Sequence, residues 1–185
     1  VNIYLKDLDL SLLGSAGPTA IMTTEPDYTF LSTFTTEGIV NINANHIGSL
    51  MQPLANGRTQ LYYTTMHEIG HILGIGTYWI DDVDFNAPVA TNGLYISENT
   101  LREYKSYFPT ENANGPFVGV PIEDDGDSGT AGGHPEEGDA SNIDRIIGGV
   151  FYPGLDHELM TGWGESSNVI TPMSRITIAF VHDIG

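Results

Sequence analysis

Cysteine is absent from this chain, which excludes a disulfide framework and any thiolate metal site. Basic residues are scarce: 6 Lys plus Arg stand against 24 Asp plus Glu, a formal net charge of −18 over 185 residues. Such a surface repels phosphate, so nucleic acids and anionic membranes are not expected partners. No apolar run approaches the roughly 18 residues of a membrane span, and no internal repeat is visible. With no cysteine, and no serine in a nucleophile-elbow motif, Cys-His and Ser-His-Asp chemistry have no support. Residues 1–5 read as a strand and not as a signal peptide, so the sequence reads as a mature domain. A monomer, secreted or at the cell surface, is expected.

Hydrophobic residues make up 40% of the chain, enough for a real core, and the length suits one domain. Strand candidates cover residues 1–5, 19–22, 28–34 and 38–43, with turn signals at 14–18 and 25–27. Residues 59–73 read as a helix: Leu61, Thr65, Ile69, Ile72 and Leu73 form one stripe, and Gly74 and Gly76 end it. A second helix is expected over 98–107, capped by Ser97, with Leu101 and Tyr104 inward. The glycine-rich acidic stretch 123–133 is a loop. A terminal helix is expected from Thr171 as cap and Pro172 as first residue, with Met173, Ile176, Phe180 and Ile184 at helical spacing and Gly185 as stop.

The central signal is His67-Glu68-Ile69-Gly70-His71. Residues four apart share a helix face, so two imidazoles placed this way can bind one zinc ion. They lie opposite the apolar stripe, so one face packs and the other meets a cleft. Glu68 is then placed to take a proton from an attacking water without ligating the metal. A catalytic zinc takes three protein ligands, and two helical histidines leave one to find. His134 is the leading candidate, because the glycines at 129, 132 and 133 let the backbone before it fold tightly against a metal. His157 is the rival. Glu98 and Glu103 on the second helix would serve in a gluzincin arrangement, while His46 and His182 fit surface or core roles better.

These residues resemble the metzincin peptidases, and within them leishmanolysin and its bacterial relatives. The resemblance rests on His67-Glu-Ile-Gly-His-Ile-Leu-Gly74, on a third histidine delayed by a long insertion, and on Glu158-Leu-Met-Thr-Gly162 followed by Met173-Ser-Arg-Ile-Thr-Ile-Ala-Phe. Residues 14–18 also resemble an early segment of the bacterial relatives. The chain departs from the pattern in three places. It lacks the cysteines of leishmanolysin, it carries Thr77 where closely spaced metzincins have their third histidine, and it has Gly162 where some have a tyrosine.

The resemblance implies an α+β fold. Its N-terminal lobe, about residues 1–76, would hold a twisted mixed sheet and the active-site helix. A smaller C-terminal lobe, about 77–185, would hold a Met-turn at Met160 and a terminal helix. It implies His134 as the third zinc ligand and Met160 as a floor beneath the metal. The expected activity is zinc-dependent endopeptidase, with Glu68 as general base and a protein or peptide substrate laid along an edge strand at residues 38–43. The alternatives are an inactive module that keeps the fold, or a calcium-stabilised binding module. The latter rests on the acidic runs at Asp81, Asp82 and Asp84 and at Asp124, Asp125 and Asp127, neither of which is an EF-hand.

Overall fold

The computed structural model describes residues 1–23, 33–79, 89–90, 92–126, 129–138, 145–165 and 169–184. The mixed α+β character expected from the sequence is present. Strands β1 (Asn2–Lys6), β2 (Gly14–Thr23) and β3 (Thr33–Asn43) form a sheet in the order β1-β3-β2. β1 runs parallel to β3 and β2 runs antiparallel to it. β3 is therefore central, with Val40 facing Ile3 on one side and Ala16 on the other. This corrects two expectations. Residues 38–43 are not an edge strand, because both of their hydrogen-bonding sides are used. Residues 14–18 are not a turn but the first half of β2. Pro18 is tolerated there because β2 lies at the edge, and the register slips between Pro18 and Ala20. The expected turn at 25–27 and most of the expected strand at 28–34 lie outside the described residues.

After the short helix α1 (Ile47–Leu50), helix α2 (Gln60–Ile72) packs on this sheet. Thr59 caps it, its side chain accepting the Tyr62 amide. Ile72 joins Val40, Ile42 and Leu50 in one buried cluster, with Leu61 and Ile69 against it. Of the expected stripe, Leu61, Ile69 and Ile72 pack there, while Leu73 is exposed at the C-cap. Gly38 on β3 lets the helix approach, because a Cβ there would meet Ile72 Cγ2 at 2.5 Å.

A second and larger cluster gathers Trp79, Tyr95, Tyr104, Phe117, Tyr152, Met160, Ile176 and Phe180. Three small units frame it: the sheet of β4 (Val89–Ala90), β5 (Leu94–Tyr95) and β6 (Val120–Pro121), helices α3 (Glu98–Tyr107) and α4 (Pro109–Asn114), and the hairpin β7 (Arg145–Ile147) with β8 (Val150–Tyr152). Helix α5 (Arg175–Ile184) buries Ile176 and Phe180 in it.

Tyr104 and Leu101 point inward as expected, but the Ser97 side chain makes no cap hydrogen bond. Instead Asp183, on α5, accepts the amides of Asn99 and Thr100 at 3.2 and 2.8 Å. α5 also starts later than expected. The Ser174 hydroxyl accepts the Ile176 amide at 3.1 Å, and Met173 is exposed instead of packed. No helix among the described residues is long and apolar enough to cross a membrane.

Candidate metal centre

α2 places His67 and His71 one turn apart, and the chain then has to bring a third group to them. It does so through glycine. Gly74 and Gly76 both have positive φ, 114° and 73°, and the chain reverses as α2 ends. Backbone meets backbone at the reversal: a Cβ at Gly76 would lie 1.9 Å from the Gly133 carbonyl oxygen. The segment before His134 is thereby held flush against the end of α2. An isolated antiparallel bridge continues it, with Ile122 opposite Pro135 and the Glu123 amide donating to the His134 carbonyl at 2.9 Å.

The three histidines meet at their Nε2 atoms. His71 Nε2 lies 3.0 Å from that of His67 and 3.0 Å from that of His134, and the third side is 3.2 Å. Each Nδ1 donates to a backbone carbonyl: His67 to Leu159 and His71 to Ile75, both at 2.8 Å, and His134 to Thr130 at 2.9 Å. A carbonyl can only accept, so each ring keeps its hydrogen on Nδ1. The short Nε2···Nε2 separations are therefore not hydrogen bonds. Three bare lone pairs converge on one point, an arrangement that only a cation relieves. Three nitrogens bound tetrahedrally at about 2.0–2.1 Å would stand roughly 3.3 Å apart, so the triangle has the right size. The carbonyls supply the outer hydrogen bonds that orient metal-binding imidazoles.

Burial supports the same state. It pushes His67 well below the ordinary histidine range, with the charges of His71 and His134 adding to it. Burial lowers His71 too, and brings His134 to about 4. All three rings are thus neutral near pH 7, as metal binding requires.

Glu68 is buried on the same helix, and burial pushes its carboxyl up to about 8. A dication at the histidines would pull that value down again. Its Oε1 lies against Gly14 of β2, where a Cβ would stand 2.6 Å away. Both face a cleft of about 420 Å³, whose described wall includes Leu12 to Ala16, Tyr63, Thr77, Trp163 and Glu165 and no lysine or arginine.

Met160 lies fully buried behind α2. A Cβ at Gly70, between the two helical histidines, would meet its Sδ at 2.4 Å. The turn carrying it is tied by a residue that sequence reasoning quoted without giving it a task. The buried Glu158 carboxylate accepts the Met160 amide at 2.6 Å, the Ser174 amide at 3.1 Å and the Thr177 hydroxyl. No local signal marks it, because Glu158 follows Asp156 and His157 and reads as one more polar residue of a turn.

The other candidates are elsewhere. His157 pairs with Asp156 at 3.2 Å and Glu165 at 3.6 Å. Glu103 pairs with Arg102 and Arg175, and Glu98 sits in the first turn of α3. His46 Nε2 lies 2.8 Å from the Leu10 carbonyl, and His182 is in the last turn of α5. Of the acidic runs, Asp81, Asp82, Asp84 and Asp127 lie outside the described residues, while Asp124 pairs with Arg145 at 2.9 Å. No family model, curated protein or solved structure matches the chain.

Proposed function

We propose that this protein is a zinc-dependent endopeptidase of the metzincin type, with His67, His71 and His134 as metal ligands. The observation that carries the reading is the triangle of bare Nε2 atoms, 3.0 to 3.2 Å on a side, beside a buried carboxylate that is not part of it. Three imidazoles suit several divalent transition metals. Zinc is preferred because three protein nitrogens with a fourth direction left to the cleft is its hydrolytic arrangement. Zinc bound there would supply Lewis acidity and a water that ionises near neutral pH.

The remaining work falls to the chain. Glu68 accepts a proton and returns it to the departing amine, and its burial keeps that proton from exchanging freely with bulk water. β2 binds the peptide. Its side away from β3 has no partner among the described strands, and Gly14, Ser15 and Ala16 line the cleft. An extended substrate can add there as a further strand. Gly14 leaves room for the Glu68 carboxylate beneath. The Met160–Gly70 contact supports the metzincin type, because it seats a methionine directly behind the two helical ligands.

The test is casein cleavage by zinc-loaded protein, with and without chelator, beside Glu68→Ala. Wild type should cleave and stop on chelation. Glu68→Ala should hold one zinc per chain with activity reduced at least about 100-fold. Zinc binding with no cleavage by wild type would favour a non-catalytic module instead.

A further inference from the structure

We infer that Glu165, with Trp163 beside it, selects peptides that carry a basic residue, arginine ahead of lysine, close to the bond that is cut. The inference rests on the peptidase reading and names the substrates this cleft accepts.

The wall that follows Met160 sets the position. It starts beside the third histidine, where a Cβ at Gly162 would stand 3.2 Å from His134 Cγ. It ends near the start of β2, where a Cβ at Gly164 would lie 2.9 Å from Leu13 Cδ1. Gln60 Nε2, at the head of α2, donates to the Glu165 carbonyl at 3.3 Å and fixes that end. Residues 162–165 thus run along the cleft from the metal centre to the strand proposed to hold the peptide. Trp163 and Glu165 both line this cleft.

The Glu165 side chain is only 13% exposed. Its Oε1 is buried with no hydrogen-bond partner. Its Oε2 faces His157 Nε2 at 3.6 Å, too far for a hydrogen bond. Among the described residues no lysine or arginine pairs with it. Buried acceptors in native proteins are normally satisfied, and here the chain supplies no donor. A donor carried by the substrate completes the group.

The surroundings favour a charged donor. Glu137 is buried nearby, close enough for the charge of Glu165 to act on it, and its Oε2 accepts the Trp163 amide at 3.1 Å. The described wall holds no lysine or arginine, so nothing there repels a cation. The net charge of −18 draws cationic peptides in from a distance. Trp163 is half exposed, and an indole so placed attracts a guanidinium or an ammonium. Arginine fits better than lysine, because its planar group can lie on the ring while its fork of N–H donors reaches the carboxylate.

The experiment uses two peptide mixtures, identical except that one fixed position is arginine in the first and norleucine in the second. Cleavage by the zinc-loaded full chain gives the ratio of kcat/KM, and mass spectrometry of the products locates the cut. The arginine mixture should be cut at least about tenfold faster, within two residues of the arginine. The ratio should fall close to one in Glu165→Gln and to an intermediate value in Trp163→Leu, with zinc content and melting of each variant measured alongside. Both mixtures are also titrated into zinc-loaded Glu68→Ala, which reads binding apart from the chemistry, and the arginine mixture should bind at least about tenfold more tightly. If wild type cuts neither mixture while Glu68→Ala keeps that preference, the peptidase reading fails and the subsite stands. Equal rates in wild type with equal affinities in Glu68→Ala would overturn the subsite without recourse to any variant of Glu165. A wild-type preference left intact in Glu165→Gln would overturn the assignment to this carboxylate.

Discussion

Met160 occupies the space that a side chain at Gly70 would need: a Cβ there would lie 2.4 Å from its Sδ and 2.7 Å from its Cε. The pair locks the helix of the two histidines to the turn that hydrogen-bonds His67 through the Leu159 carbonyl. Two opposing effects bear on Gly70→Ala. Alanine in a helix interior gains about 1 kcal/mol over glycine. Overpacking a filled core costs about 1–3 kcal/mol, and Met160 is fully buried with little room to retreat. The second effect should win. Urea melts should show a net loss of stability, and zinc should be held less tightly. A variant more stable than wild type would mean that the methionine swings aside freely.

Gly76→Ala should do more damage, because its obstacle is backbone. The new Cβ would stand 1.9 Å from the Gly133 oxygen, and φ is 73°. The left-handed conformation alone costs about 1–2 kcal/mol for a residue with a Cβ. The clash adds to it by pushing His134 off the other two rings. Zinc affinity should fall at least about tenfold, as when a metal's supporting contacts are removed. Gly129→Ala is the control, since its nearest neighbour would be Leu12 Cδ2 at 3.9 Å. Equal zinc affinity in the two variants would contradict this account of how the loop is placed.

These contacts show what local sequence can and cannot carry. Helix α2 and its two histidines were legible because spacing and stripe are local properties of 13 residues. So was the glycine-rich approach to His134. The position of β3 was not, because residues 38–43 have the same pattern whether one or both edges are paired. Residues 14–18 looked like a turn because glycine and proline usually mark one. Here Gly14 makes room for Glu68, and Pro18 sits beside a register slip on an edge strand. The start of α5 was misplaced for a similar reason. Pro172 is a good first residue in isolation, yet its carbonyl accepts the Leu159 amide and the Glu158 carboxylate takes the Ser174 amide. Asp183 replaces Ser97 at the head of α3 across 84 positions of sequence, a distance no capping pattern spans.

Glu137 makes stability depend on pH in the unusual direction for a carboxylate. It is buried, and burial first and the charge of Glu165 second push it from 4.5 to about 7. The folded state therefore binds this proton more tightly than the unfolded state. Its contribution is most favourable below pH 4.5 and is lost as pH rises to about 7. The loss is on the order of 1–3 kcal/mol. Glu137→Gln can still accept the Trp163 amide, now 3.1 Å from Glu137 Oε2, without the charge. In chelator-treated protein, the variant and wild type should melt together near pH 4. The variant should melt progressively higher up to pH 7 and hold that lead above it. Parallel melting curves at every pH would show that the carboxyl ionises without cost.

The choice between His134 and His157 decides the metal centre. Both precede Met160, and both lie in segments that could reach a metal. The structure brings His134 Nε2 to 3.0 Å from His71 and 3.2 Å from His67, with its Nδ1 hydrogen held by Thr130. His157 is half exposed at φ 65°, with one nitrogen toward Asp156 and the other toward Glu165. An exposed pair of this kind contributes about 0–1 kcal/mol, so His157→Ala should fold, keep one zinc per chain and keep its activity. His134→Ala should fold as well, since among the described residues it removes an imidazole whose hydrogen bond to the protein is the one it donates to the Thr130 carbonyl. It would leave two nitrogens for the metal, and zinc affinity should drop by more than about 100-fold. The measurement is zinc content after dialysis against a chelator of moderate strength, followed by peptide cleavage. Retention of zinc by His134→Ala together with its loss from His157→Ala would reverse the ligand set. It would also leave the close approach of Gly76 to Gly133 without a task.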